Sequence, residues 1–307
     1  MISVIIPSYN YGHFIGQAIE GIIAQTYRDW EILVIDDDSR DNTEEVVRKY
    51  SELYPQIHYF WQANAGPSAA RNRGIDNMKG EYVQFLDPDD LFEKRKFEEQ
   101  IRIFEENQQA DIVYSSMRYF TKDPYDEADR RYSFWGVDKE WIPKFQGRGS
   151  SFLPQALKGN FTHFSSMLFR RRIIEKAGRF DEINNAPSDY TYILQCVISD
   201  AYFMYHDTPE TYGLIRWHTN NLSKNLDRMM KEEINARHNL AQYLKGNREA
   251  MLANDYAIKA YRLKLNKSWK TVFLSGGKFD FLKKIISSLG LKKLAQKIFY
   301  QENKNIR

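Results

Sequence analysis

The chain has 307 residues, 42% hydrophobic and 28% charged, and its 44 Lys and Arg against 41 Asp and Glu leave a net charge of +3. These are the proportions of an ordinary folded protein, which excludes disordered, collagenous and coiled-coil chains. No run approaches the roughly 20 apolar residues of a membrane-spanning helix. Cys196 has no second cysteine to pair with, and the opening MISVIIPSYN lacks the charged n-region of a signal peptide, so a cytoplasmic protein is expected.

The first 110 residues alternate between two periods. β-Branched runs predict strands at Ser3–Ile6, Trp30–Ile35, Ile57–Trp61 and Tyr82–Leu86. Between them, Ile15, Ala18, Ile19, Ile22 and Ile23 recur at helical spacing, and Val46, Val47 and Tyr50 do so again. Strands alternating with helices imply βαβ crossovers and a mostly parallel α/β sheet. From Asp111 to Ser223 the pattern is mixed. Strands are predicted at Ile112–Tyr119, Ser166–Phe169, Ala201–Tyr205 and Thr211–Trp217, with a helix at Ser188–Ser199. Lys122–Ser151 reads as a long polar loop carrying Tyr132, Phe134, Trp135 and Trp141, and everything beyond Lys224 reads as helix. The expected parts are 1–110, an α/β part, 111–223, which completes the domain, and a basic helical region, 224–307.

Open α/β sheets bind ligands outside the carboxyl ends of their strands. After the first strand, Pro7-Ser8-Tyr9-Asn10 has no G-x-G-x-x-G, which counts against a dehydrogenase. After the second, Asp36, Asp37 and Asp38 repel one another unless solvent or donors lie nearby. Capping of the next helix needs only Asp41, Asn42 or Thr43, so at least one of the three acids is left to accept from a base N–H or a ribose hydroxyl. After the third, Gly66–Gly74 supplies small residues at a helix start, where free N–H groups face an anion. Arg71 and Arg73 add positive charge there, with Arg73 expected on a solvated face. After the fourth comes Asp87-Pro88-Asp89-Asp90. Proline biases Asp87 to an extended conformation, and residues i and i+2 of an extended segment project the same way. Asp87 and Asp89 can therefore meet at one hard cation, Mg²⁺ or Mn²⁺, that also takes diphosphate oxygens. Helix capping, the other use of such a segment, needs only one acid.

Together these stretches resemble the family 2 glycosyltransferases, which have the GT-A fold. The resemblance rests on SVIIPSYN at 3–10, AQTYRDWEILVIDDDSRDNT at 24–43, NAGPSAARNRGI at 64–75, GEYVQFLDPDD at 80–90, RRRIIEKAGRFDE at 170–182 and RWHTNNLS around His218, and covers residues 1–223. It implies an inverting enzyme that moves one sugar from a nucleotide-sugar to a hydroxyl of a glycan or lipid-linked acceptor, as in bacterial surface polysaccharide assembly. On that resemblance Pro7 and Tyr9 lie beside the base and Asp37 recognises uracil, which makes the donor a UDP-sugar. Arg71 and Asp87 contact the donor, Asp87 and Asp89 hold the metal with His218 near it, and Asp189 is the general base. The usual Glu before the base is here Ser188, which can cap the helix and leave Asp189 in its first turn. The processive members carry Gln-x-x-Arg-Trp, whereas Arg216-Trp217 has Gly213 in place of the glutamine, so a single addition is expected. A sugar nucleotidyltransferase would show a Gly-rich loop after the first strand. A catalytically inactive nucleotide-sugar-binding module would not need all of these acids.

Residues 259–307 hold 13 Lys and Arg against two acids, a net of +11, while 1–258 carry a net of −8. Phe279, Leu282, Ile286 and Leu289, then Leu291, Leu294, Ala295 and Ile298, form two apolar helical stripes among five lysines. This is the pattern of an interfacial helix, which would place a cytoplasmic enzyme peripherally on the anionic inner face of a membrane. No nucleic-acid recognition motif accompanies the basic tail, so no nucleic-acid partner is expected.

Overall fold

Strands β1 (Ile2–Ser8) and β2 (Trp30–Asp36) are buried along their whole length. Parallel strands are covered on both faces, which is why these two read as unbroken apolar runs. The computed structural model describes residues 1–132, 143–159, 161–182, 188–219, 221 and 225–275, without the side chains of 188, 226 and 266–275. The predicted acceptor contacts Phe134, Trp135 and Trp141, the capping role of Ser188 and the tail stripes lie outside the described residues.

Helices α1 (Gly12–Ile23) and α2 (Thr43–Leu53) and strand β3 (Ile57–Trp61) complete the first crossovers, followed by α3 (Pro67–Asn77) and β4 (Tyr82–Phe85). Further on come β5 (Leu91–Phe92), α4 (Lys96–Glu106), β6 (Ile112–Ser115), β7 (Met117–Phe120), β8 (Gly147–Arg148) and α5 (Gly149–Ala156). Then follow β9 (Met167–Arg170), α6 (Arg171–Ala177), α7 (Ser188–Ile198), β10 (Tyr202–His206), β11 (Gly213–Arg216), α8 (Leu226–Leu240) and α9 (Arg248–Ser275). Among the described residues the large sheet runs β3-β2-β1-β4-β9-β6-β10-β8, and a small one runs β5-β11-β7. The large sheet is parallel from β3 to β4, and β9 enters antiparallel to both β4 and β6.

The two-residue period of the strands divides the core. Val4, Ile6, Ile32 and Val34 face one side and pack on Ile15, Ile19 and Ile22 of α1 and on Phe97 and Phe104 of α4. Ile5, Leu33, Ile35, Val83 and Phe85 face the other, against α3, α5, α6 and α7. Each such side chain, fully buried, contributes about 2 kcal/mol. Gly74 lets α3 settle on β1, since a Cβ there would lie 2.3 Å from Ile5 Cγ2.

Two expectations change. The strand predicted over Ile112–Tyr119 is two strands, because the chain leaves the large sheet at Ser116 and joins the small one, where the Ser116 carbonyl accepts from Gly213 N. The loop predicted over Lys122–Ser151 contains β8 and the start of α5. Its first part is knotted by Asp129, whose carboxylate accepts from the Thr121 hydroxyl and from the amides of Thr121, Lys122 and Asp123. These four bonds hold that carboxyl well below its usual range.

The chain forms two compact units, Met1–Ile258 and Lys259–Arg307. Within the first, Arg237 of α8 is fully buried and donates to Glu233 at 2.8 Å, to the Leu157 carbonyl and to the Tyr190 hydroxyl of α7 at 3.3 Å. In the second, the described residues continue α9 to Ser275. Among the described residues no helix is long and apolar enough to cross a membrane.

Candidate active site

The carboxyl ends of β1, β2, β3 and β4 lie side by side, and Pro7, Tyr9, Asp37, Asp87 and Asp89 stand at or just beyond them. Pro7 is still within β1, in register with Ile35, and Tyr9 just beyond it is 48% exposed. The three neighbouring aspartates are tolerated because each of them meets a donor. Asp36 accepts from Ser39 N at 2.8 Å and from the Tyr59 hydroxyl at 2.7 Å, and Asp38 pairs with Arg40 at 2.7 Å. Asp37 is buried and binds the loop after β3: Oδ1 accepts from Gln62 Nε2 and Ala65 N, and Oδ2 from Gly66 N, all at 2.8 Å. Gly66 has a φ of 89°, in the left-handed region where glycine alone is unstrained. Asp41, one of the candidate caps, accepts from Thr43 N at 3.0 Å and from Gly12 N at 2.9 Å, joining the starts of α2 and α1.

After β4, Asp87, Asp89 and Asp90 each meet a different partner. Asp87 is partly exposed and accepts from Arg71 Nη2 at 2.9 Å. Arg71 is buried, with its guanidinium 5.6 Å from the Phe164 ring centre and 5.7 Å from that of Phe180. Arg73, by contrast, turns away to the Trp61 carbonyl. Asp89 Oδ2 lies 2.8 Å from His218 Nε2, just beyond β11. Asp90 is buried between Ser165 Oγ at 3.2 Å and Arg216 N at 3.1 Å, while Arg216 Nε donates to the Asp89 carbonyl at 3.0 Å. Burial, then Asp87, raises the Asp89 carboxyl, with His218 opposing. Burial and the two neighbouring acids push Asp90 well above the usual carboxylate range. Burial followed by the same three acids raises the Tyr11 phenol, whose ring centre lies 6.3 Å from that of His218.

Asp189 stands in the first turn of α7, its Oδ1 2.6 Å from Tyr190 N. His163 opens the 3-10 turn Phe164–Ser166 that precedes β9, and burial lowers its pKa, with the charges of Asp87, Asp189 and Asp89 opposing. Sequence reasoning missed His163, which carries no local signal beyond being a histidine before a strand. It also gave Arg216 no part in the acidic turn.

The arrangement sets Asp87 on a buried arginine and Asp89 on a histidine within one turn. The Asp89 carboxyl, raised by burial and by Asp87, suits a cation that would relieve the repulsion. Among the described residues no three His, Cys, Asp or Glu side chains form a ready metal cage. Asp87 and Asp89 fit instead a hard ion that keeps positions open for phosphate oxygens.

The profile of the glycosyl transferase family 2 matches residues 3–178. An uncharacterised glycosyltransferase of Rickettsia typhi is 30% identical over 99% of this chain and 97% of its own length. Glycosyltransferase GlyA of Streptococcus pneumoniae is 40% identical over 39% of this chain and 17% of its own. Among solved structures, residues 1–349 of S. aureus TarS in complex with UDP-GlcNAc align with a TM-score of 0.63 at 18% identity, over 94% of this chain and 79% of that one. The mannosyltransferase PcManGT of Pyrobaculum calidifontis, in complex with GDP-Man and Mn²⁺, aligns with a TM-score of 0.61 at 16% identity, with the same coverage. These two likenesses establish the GT-A-type fold, a mixed α/β sheet flanked by helices. The chain belongs to glycosyl transferase family 2.

Proposed function

We propose that this glycosyltransferase is metal-dependent and inverting, and moves one sugar from a UDP-sugar to a hydroxyl of a glycan or lipid-linked acceptor. The observation that carries this reading is the acidic turn: Asp87 and Asp89 lie together at the end of β4, one on Arg71 and the other on His218. The fold likeness to TarS, solved with UDP-GlcNAc, and to PcManGT, solved with GDP-Man and Mn²⁺, supports a nucleotide-sugar donor.

In this reading Pro7 and Tyr9 line the base site, and Asp37 orders it and accepts the uracil N3–H. Asp87 and Asp89 would hold Mn²⁺ or Mg²⁺, which would supply positive charge to the leaving diphosphate. Arg71 releases part of its hold on Asp87 to meet the same phosphates, where the transition state gains negative charge. His218 holds Asp89 at the metal position. Asp189 takes the acceptor hydroxyl's proton as its oxygen attacks the anomeric carbon from the face opposite the diphosphate, and that single displacement inverts the configuration. The basic tail would hold the enzyme on the cytoplasmic face of a membrane, beside a lipid-linked acceptor.

Calorimetric titration with UDP, GDP, CDP and dTDP in the presence of Mn²⁺, followed by a panel of sugar conjugates of the preferred nucleotide, tests the donor assignment. UDP is expected to bind tighter than GDP or CDP. Tighter binding of GDP overturns the uracil role of Asp37, and no binding of any nucleotide overturns the donor reading as a whole.

A further inference from the structure

Lys96, the first residue of α4, is fully buried, and among the described residues no carboxylate pairs with it. Lysine is almost never fully buried without such a partner. An apolar side chain of its size would fill the same space without the cost of burying an amine. Its Nζ donates instead to Gln84 Oε1 of β4 at 2.6 Å and to Gln100 Oε1, one helical turn on, at 2.8 Å. Burial pulls its pKa well below the ordinary lysine range. Charged or neutral, the nitrogen keeps the two N–H that these bonds use.

A side-chain amide can turn either its oxygen or its NH₂ group to a neighbour. With one donor seated on both oxygens, Gln84 and Gln100, themselves fully buried, turn their NH₂ groups elsewhere. Gln84 Nε2 donates to the Ser165 carbonyl and Gln100 Nε2 to the Ser166 carbonyl, each at 3.0 Å. These are successive residues of the turn Phe164–Ser166. From that turn Ser165 Oγ donates to Asp90 Oδ2 at 3.2 Å, while Asp90 Oδ1 accepts from Arg216 N at 3.1 Å. The Asp90 amide in turn donates to the Asp87 carbonyl at 3.1 Å. Two amides and one serine thus connect a buried lysine to the turn that carries Asp87 and Asp89.

We infer that Lys96 is a positioning residue for the metal site: by orienting Gln84 and Gln100 it sets the turn Phe164–Ser166, and through Ser165 and Asp90 it keeps Asp87 and Asp89 ready for a divalent cation. This rests on the metal reading above. Lys96 touches neither acid, so its effect passes through the residues between.

The test uses the full chain with saturating UDP. Mn²⁺ binding is read from the loss of the free-ion signal in electron paramagnetic resonance, with the thermal midpoint measured alongside. Groups that orient metal ligands are worth roughly 10- to 100-fold in affinity. Lys96→Met, which keeps the bulk but donates nothing, and Ser165→Ala should each weaken Mn²⁺ binding at least about tenfold. Because both lie on one path, the double variant should lose no more than the weaker-binding single variant, whereas independent effects would multiply. Gln84→Glu keeps an acceptor for Lys96 but gives up the N–H to Ser165, so it should lose about as much as Lys96→Met, and it decides the matter if Lys96→Met does not fold. A lowered thermal midpoint with unchanged Mn²⁺ affinity means that Lys96 serves the fold alone, and overturns the inference. So does a double variant whose loss is the product of the two single losses. If wild type itself binds no Mn²⁺, the metal reading and this inference both fall; if wild type binds it and the variants bind it as tightly, only this inference does.

Discussion

Asp89 and His218 stand 129 residues apart in the chain, yet their Oδ2 and Nε2 lie 2.8 Å from each other. The bond joins the turn after β4 to the exit of β11. Arg216 strengthens the junction by donating to the Asp89 carbonyl at 3.0 Å and, through its amide, to Asp90 at 3.1 Å. Side-chain exposure is 15% for His218 and 9% for Asp89, so the pair is held away from most solvent.

Asp89→Asn is expected to abolish turnover while leaving the thermal midpoint at or above that of wild type. The carboxyl pays a desolvation penalty that an amide does not, and the amide still bonds to His218. Excess chelator should have the same effect, reversed by Mn²⁺ or Mg²⁺. Activity assays with added EDTA check this, and full turnover in chelator rules out metal dependence.

Asp189→Asn should bind UDP within about twofold of wild type yet transfer roughly 10² to 10⁴ times more slowly, the usual worth of a general base. An amide keeps the shape but cannot take a proton. Single-turnover rates alongside calorimetric affinities separate the two effects, and a kcat near wild type assigns the base to another residue.

His206 predicts an acid-labile fold. Both ring nitrogens are enclosed without partners, and burial, aided by Lys96, lowers its pKa to about 4. The folded state keeps the ring neutral while the unfolded chain protonates it near 6.5, so stability is lost as pH falls from about 6.5 towards 4. Linkage gives about 2 kcal/mol lost between pH 7.5 and 5 from this residue. Urea titrations at the two pH values should show that His206→Leu loses about that much less than wild type. An equal loss in both assigns the acid sensitivity elsewhere.

The basic tail should bring the full-length protein down with anionic vesicles at low salt, and a chain ending at Ile258, the last residue of the first compact unit, should stay in the supernatant. Five lysines at about 1 kcal/mol each suffice for reversible attachment. Sedimentation with and without 0.5 M salt checks this, since screening should release the protein. Equal pelleting of the truncated chain overturns tail-driven docking.

The sequence by itself determined the strands β1 to β4, the helices between them and which residues stand at their ends. These depend on local quantities: a period of 2 or 3.6, a proline that extends Asp87, small residues where α3 begins. It also held the family motifs in order. What it did not hold was which groups face one another. That Asp37 binds the loop after β3 follows from the pairing of β2 with β3, and that Asp89 meets His218 follows from β11 joining the small sheet with β5. Ser165, two residues after His163, reaches Asp90 because β9 runs antiparallel beside β4, which returns the residues before β9 to the end of β4. Strand order and direction are set by the packing of whole faces, on which distant segments act together, so no local pattern around Ser165 or His218 encodes their partners; only the tertiary structure decided them.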